Sequence, residues 1–412
     1  MKYFEKNKIP FFIFSLAFVL HLAAIIYIGN FYNPQMWEFG EIADNILQGK
    51  GHSYFTVEGK LLPSAYMPPA YSFILAGFFL LFGKTSLIFF IIQFLHCLFS
   101  VVTCVLIYFI AREIFNRTVA VFSTIAVSLY PPFLYINSQI HPIPIYMMLY
   151  CLVFFLLINL RRRPSVKLSI FSGIFSGVLV LFRPEFLLYS IILAIWIFFN
   201  VLGRIRIKLA LVYLLITAAI ILPWCTRNFL LFNRFTTNTA LGTYLVRGWN
   251  ENATGTGRDS WPSKKGTILP ISIEEKIGEI EPTKDFEAKM DSLLFKEGVS
   301  YIRSNPRKAV VLALKKIYYF WWFDPTHYAT RHPLYLGPWI AILPFFIIGI
   351  VFSLKQAARF SLFYIYFTMP MLQALFSIVL PRYRMTAEPF IIIFAVYALY
   401  CLRDKFSLKR LK

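Results

Sequence analysis

Three carboxylates, Glu38, Glu41 and Asp44, lie close together in a chain that has few acids, within the stretch Met36-Trp-Glu-Phe-Gly-Glu-Ile-Ala-Asp-Asn-Ile-Leu-Gln-Gly-Lys-Gly51. A carboxylate that stays charged at neutral pH and reaches a substrate hydroxyl is a general base. Phe39, Ile42, Ala43, Ile46 and Leu47 follow the spacing of a helix with one apolar face, and Glu38, Glu41, Asn45 and Gln48 fall on the other face. Glu38 comes first and stands beside Trp37, so it is the preferred base, with Glu41 the competitor. The alternative for each acid is simply the wet face of a helix lying on a membrane.

Arginines supply the complementary chemistry, because their planar fork matches phosphate oxygens. Arg183 and Glu185 flank Pro184, Arg382, Arg384 and Glu388 share a short turn between apolar runs, and Arg227 and Arg247 flank another polar region. Helix-end anchoring is the competing reading. His52, His141, His327 and His332 show no metal-ligand spacing and no HExxH occurs, so no metal is expected; a divalent cation is conceivable but unsupported. The glycine-rich run Gly248–Gly257 lacks the G-K-[ST] ending of a phosphate loop and reads as a tight turn.

The elements that must position these residues are membrane helices. The 412 residues are 58% hydrophobic and 15% charged, and several apolar runs reach the roughly 20 residues needed to span a bilayer. The expected fold is an all-α polytopic membrane protein of about ten spans, near 10–28, 86–111, 118–137, 143–160, 168–182, 185–202, 209–223, 335–354, 360–379 and 387–402. Alternate connections and the two ends carry 19 of the 41 basic residues but only Glu5, Glu113 and Asp404 among the acids. This bias places both termini in the cytoplasm and the acidic helix and arginine turns outside. It also accounts for much of the net charge of +21 without nucleic acid.

Ala70–Gly83 is apolar but has only 14 residues, and counting it as a span would reverse that bias. It reads as a helix in the outer interface, entered through Pro68-Pro69. The segment 303–323 reads as a second interfacial helix, basic and aromatic. Three parts follow: 1–223 with seven spans and the first outer loop 29–85, an outer region 224–334, and a C-terminal module 335–412 with three spans. Five cysteines without paired spacing argue against a disulfide framework.

Taken in order, five pieces resemble the GT-C membrane glycosyltransferases, in the bacterial branch related to protein O-mannosyltransferases and lipid A aminoarabinose transferase. They are Trp37–Gly51, Pro68–Ala76 with Leu81-Phe-Gly83, Leu181-Phe-Arg-Pro-Glu185, Pro223-Trp-Cys-Thr-Arg-Asn228 and Arg382-Tyr-Arg-Met-Thr-Ala-Glu-Pro389. The resemblance implies an inverting transferase of the plasma (inner) membrane, working on the outer face with a polyprenyl-phosphate-linked sugar as donor and a lipid, glycan or protein as acceptor. It implies a base at the position of Glu38, where Glu replaces the more usual Asp. The candidate substrate- and phosphate-binding residues are Arg183, Arg227, Arg382, Arg384, His141 and Tyr71. Many relatives carry a second carboxylate where this chain has Gln139-Ile-His141-Pro, and some carry a Lys where Met67 stands. The rival readings are a lipid or glycan transporter or flippase, and a noncatalytic relative that binds a lipid-linked sugar.

Overall fold

A computed structural model describes residues 8–257 and 270–410. Part of the region 224–334, residues 258–269, therefore lies outside the described residues. The architecture is helical, with one small two-stranded hairpin. Helix α1 (Lys8–Ile28) leads to the short α2 (Trp37–Leu47), the strands β1 (Ser53–Val57) and β2 (Lys60–Pro63), and α3 (Pro69–Phe82). A run of helices follows: α4 (Ser86–Ile114), α5 (Arg117–Ser128), α6 (Pro131–Asn137), α7 (Ile143–Arg162), α8 (Val166–Phe182), α9 (Phe186–Asn200) and α10 (Arg206–Phe232). The region 224–334 supplies α11 (Leu241–Gly248), α12 (Ile271–Gly278), α13 (Phe286–Ser304) and α14 (Pro306–Trp321). The chain closes with α15 (Pro333–Ser353), α16 (Ala357–Phe376), α17 (Pro381–Arg384) and α18 (Glu388–Arg410).

Nine of the ten expected spans each fall on one helix, and the tenth, 118–137, falls on the pair α5–α6. Among the described residues, five helices are long and apolar enough to cross a membrane, or six if the bent pair α5–α6 counts as one span. Helices α8 and α9 are apolar but shorter, as is α3. The continuous helix expected over 118–137 is instead broken by 52°. Pro131 and Pro132 explain the break, since neither offers a backbone N–H and their rings clash with the preceding turn. Helix α10 departs in the other direction. It continues through Pro223 to Phe232, so the expected boundary at 223 falls inside a helix. Trp224 and Phe232 pack with Ala65 and Ala288 in a small second core, and that burial holds the helix together past its proline.

Close helix packing places the ends of the spans. Gly173 and Gly177 on α8 sit one turn apart against α10, where an added Cβ would come within 2.7 Å of the Tyr213 carbonyl and 2.6 Å of Ile220. Small residues at this spacing let membrane helices approach closely. Hydrogen bonds reinforce the seam: Ser169 donates to the Leu209 carbonyl at 2.6 Å, and Tyr213 donates to Ser176 at 2.9 Å. The end of α8, and with it Arg183, is thereby fixed.

At the far end of these helices the basic connections meet one another. Arg162 pairs with Glu113, Arg161 donates to the Ala358 carbonyl, and Arg359 donates to the Ile114 carbonyl. The buried middle between the two ends is strongly aromatic. Phe154 packs against Phe363, Tyr366 and Phe390 at ring distances of 4.6–4.8 Å.

Candidate active site

Helix α2 lies over the end of the bundle with Phe39, Gly40, Ile42, Ala43 and Asn45 buried. Asn45, expected on the wet face, instead turns inward and donates to the Ser53 carbonyl at 2.9 Å, which ties α2 to β1. Trp37 has φ +55°, a left-handed conformation that strains a bulky residue. The fold-back it creates sets Met36 over Gly40, where an added Cβ would lie 2.4 Å from the Met36 Cβ. Glu38 emerges from this strained start.

The three acids have different surroundings. Asp44 forms an ion pair with Lys84. Glu41 is exposed. Glu38 is half-buried and lies close enough to Tyr54 and Tyr66 to act on both phenols. Burial, with Glu38 and Glu41 nearby, pushes the Tyr54 phenol up to about 12. The Tyr66 phenol is likewise raised, first by burial and then by Glu38, while Arg247 pulls it down.

Phe39, next to Glu38, meets His141 edge to face at 6.1 Å. His141 is held well below the usual imidazole range by burial, and by Arg382 and Arg183. A neutral imidazole at this position has one ring nitrogen to accept and one to donate. Its Nδ1 accepts from the Ile143 N–H at 3.3 Å, which leaves Nε2 as the protonated nitrogen.

Arg183 is braced where α8 ends and α9 begins. It pairs with Glu185 across Pro184, donates to Tyr146 at 2.9 Å and to Gln373 at 2.8 Å, and lies 4.8 Å over the Tyr146 ring. Burial opposes its charge, but Glu185 and the phenols of Tyr146 and Tyr383 outweigh it and hold the guanidinium above its usual value. A shallow cleft opens beside Arg183 and Glu185, bounded by Tyr150, Tyr189, Gln373 and Thr386. Arg382 is exposed at the start of α17 and acts electrostatically on His141, Tyr146 and Tyr244. No hydrogen bond or ion pair to another described residue occupies it.

The fold thus brings Glu38, His141, Arg183 and Arg382 to one region. Three other sequence candidates are placed elsewhere. Tyr71 is buried under Phe39, with its hydroxyl 3.3 Å from His96. Arg227 donates to the carbonyls of His52 and Ser64 at 2.8 and 2.9 Å and so clamps both ends of the hairpin onto α10. Arg384 is buried. It pairs with Glu388 at 3.0 Å, donates to the carbonyls of Phe320 and Trp322 and to Tyr335, and lies 3.5 Å over Trp339. The forks of both arginines are filled by protein groups.

The sequence reading missed the tyrosines between the acid and the arginines. Tyr54, Tyr66, Tyr244 and Tyr383 line the ground from Glu38 to Arg183 and Arg382. They come from β1, the exit of β2, α11 and α17, so no spacing along the chain announced them. Among the described residues no group of three His, Cys, Asp or Glu side chains converges on a common point.

The sequence profile of the dolichyl-phosphate-mannose-protein mannosyltransferase family matches residues 66–226. This stretch contains Arg183 and ends just before Arg227. No curated protein sequence matches the chain closely enough to count as a relative. Among solved structures, an oligosaccharyltransferase from Archaeoglobus fulgidus in its apo form superposes with a TM-score of 0.62 at 16% identity, covering 98% of this chain and 51% of that one. The archaeal oligosaccharyltransferase AglB from the same organism, in complex with an inhibitory peptide and a dolichol-phosphate, gives 0.59 at 15% identity, covering 99% and 52%. ArnT from Cupriavidus metallidurans bound to undecaprenyl phosphate covers 94% of this chain and 76% of that one at 12% identity, with a TM-score of 0.40. The chain spans about half the length of the oligosaccharyltransferases it matches. Over nearly its full length the chain shares the helical fold of the archaeal oligosaccharyltransferases, and its residues 66–226 carry the mannosyltransferase family profile.

Proposed function

We propose that the protein transfers a sugar from a polyprenyl-phosphate donor to an acceptor hydroxyl, with inversion, at the outer face of the plasma membrane and with both termini in the cytoplasm. The supporting observation is the separation of charge across one site. Glu38 stands at one side, Arg183 and Arg382 at the other, and uncharged tyrosines lie between.

In this reading Glu38 accepts the proton of the acceptor hydroxyl as its oxygen attacks the anomeric carbon. The bond from that carbon to the phosphate oxygen breaks on the opposite side, and polyprenyl phosphate leaves. A base in this role contributes about 10²–10⁴-fold. Arg382, whose donors are uncommitted among the described residues, receives the leaving phosphate, and Arg183 adds fixed positive charge held in place by Glu185 and Gln373. Preorganised charge of this kind is worth as much as the base, about 10²–10³-fold for one donor group. His141 is neutral and hydrogen-bonds rather than carries charge. The lipid-phosphate donor is supported by AglB, whose fold this chain shares and whose structure is in complex with a dolichol-phosphate.

The positive-inside bias supports the orientation, since the opposite end of the helices gathers Arg161, Arg162 and Arg359. The test is transfer of sugar in vitro from a polyprenyl-phosphate sugar by the purified chain. Arg382→Ala is expected to lower turnover by at least about tenfold while leaving the fold intact. Unchanged turnover in that variant removes the phosphate role.

A further inference from the structure

The tyrosines beside Glu38 form more than a lining. Tyr54 and Tyr66 are stacked with centroids 6.0 Å apart and planes 10° from parallel, and Tyr66 continues the stack to Tyr244 at 6.3 Å and 27°. Phe55 braces the first two edge-on, at 5.0 Å from Tyr54 and 5.3 Å from Tyr66. In a regular strand the adjacent residues Tyr54 and Phe55 would point to opposite faces. Here the pairing of β1 with β2 is irregular between Ser53 and Thr56, and both rings reach Tyr66. An irregularity of this kind re-aims side chains.

Three clamps hold the ladder in place. Asn45 holds Ser53, Arg227 holds His52 and Ser64, and Glu287 accepts the Ala65 N–H at 2.7 Å. Tyr54, Tyr66 and Tyr244 are only partly buried. Their hydroxyls have no hydrogen-bond partner among the described residues, and none is sealed from the surface.

We infer that this ladder is a binding platform for a pyranose ring, and that the acceptor is therefore a carbohydrate. The inference rests on the transfer reading above. A pyranose offers one face of C–H bonds and a rim of hydroxyls. Flat tyrosines match both parts, giving apolar area with little loss of rotamer freedom and a phenol at the edge. The ends of the ladder assign the occupant. Tyr54 has the carboxylates Glu38 and Glu41 as its charged neighbours, whereas Tyr244 has Glu185 together with the Arg382 guanidinium. The Tyr54 end therefore repels a phosphate and lies on the acceptor side of the base.

The experiment is saturation-transfer NMR on the full chain in detergent, with methyl glucopyranoside, mannopyranoside, galactopyranoside and N-acetylglucosaminide as probes. At least one probe is expected to receive saturation mainly on the C–H groups of one ring face. Binding should weaken at least about fivefold in Tyr54→Ala and stay within about twofold in Tyr54→Phe. If no pyranoside receives saturation, or Tyr54→Ala binds as well as wild type, the inference is overturned. So is it if a Ser/Thr peptide, and no pyranoside, occupies the site.

Circular dichroism of Tyr54→Ala checks folding, and Tyr54→Phe provides the readout should Tyr54→Ala misfold. Because binding is measured without donor, it separates the two claims. Pyranoside binding without transfer sinks the transfer reading and the acceptor assignment but leaves the pyranose platform, and transfer without pyranoside binding sinks only this inference.

Discussion

The ring of Phe39 meets the imidazole of His141 edge to face, with centroids 6.1 Å apart and planes at 83°. Through this contact the helix that carries Glu38 rests against the corner that carries Arg183 and Arg382. The acid and the arginines belong to one site because two neighbouring side chains on separate elements pack together.

Two arginines two residues apart should behave in opposite ways. Arg382 is exposed and Arg384 is buried against Glu388. Arg382→Ala is expected to change stability by no more than about 0.5 kcal/mol and to fail in transfer. Arg384→Ala strands the Glu388 carboxylate and frees the carbonyls of Phe320 and Trp322, at a cost of about 3–5 kcal/mol. Thermal unfolding in detergent alongside a transfer assay checks both. Equal loss of stability in the two variants would contradict the division.

The helices, their order and the grouping of the basic connections were legible in the sequence, because apolar runs and Arg/Lys placement are local signals. Which arginines the fold leaves without protein partners was not legible. Arg227, Arg382 and Arg384 look alike in sequence and differ only in what the folded chain brings to their forks, namely the hairpin carbonyls for Arg227 and Glu388 for Arg384. Tyr54, Tyr66 and Tyr244 were missed for the same reason, since they converge from elements far apart in the chain. Asn45 looked wet by periodicity, but the Ser53 carbonyl needed a donor and drew it inward. The acidic triplet was visible as a group with Glu38 preferred, and the folded chain adds the ion pair that occupies Asp44.

Asp44 is expected to be dispensable for chemistry. Its ion pair with Lys84 is partly exposed on both sides, at 35% for Lys84 and 34% for Asp44. Pairs of this kind contribute at most about 1 kcal/mol. Asp44→Asn should keep the wild-type transfer rate within about twofold and shift unfolding only slightly. A dead Asp44→Asn that folds normally would put the base on the wrong acid.

Gly40 is expected to be required for the placement of Glu38. A Cβ there lies 2.4 Å from the Met36 Cβ, so Gly40→Ala must push the strained start of the helix outward. Overpacking of this sort costs about 1–3 kcal/mol. Turnover should fall in Gly40→Ala more than substrate binding does, and the kcat and KM values separate these effects.

The outer region should loosen as pH rises. Glu287 is buried, and burial lifts its carboxyl from 4.5 to about 7, against hydrogen bonds from the Ser64 and Ala65 segment and the Arg227 charge. A carboxyl raised in the folded state binds its proton more tightly there than in the unfolded chain. Its stabilising effect is therefore fully present below about 4.5 and is lost as pH rises through about 7. Over that window the loss amounts to ~3 kcal/mol. Hydrogen exchange at the Ala65 amide should quicken beyond its intrinsic pH dependence between pH 5 and pH 8, values set to bracket about 7. Glu287→Gln keeps a carbonyl oxygen for that amide, so it should flatten the extra dependence. An extra slope that survives in Glu287→Gln would assign it to another group.

The central claim is that Glu38 takes the proton of the acceptor, and sugar transfer from a polyprenyl-phosphate donor by Glu38→Gln and Glu41→Gln tests it most directly. The account predicts that Glu38→Gln folds, binds the donor and loses about 10²–10⁴-fold in rate, while Glu41→Gln stays within about threefold of wild type. A folded Glu38→Gln that transfers at the wild-type rate would contradict it.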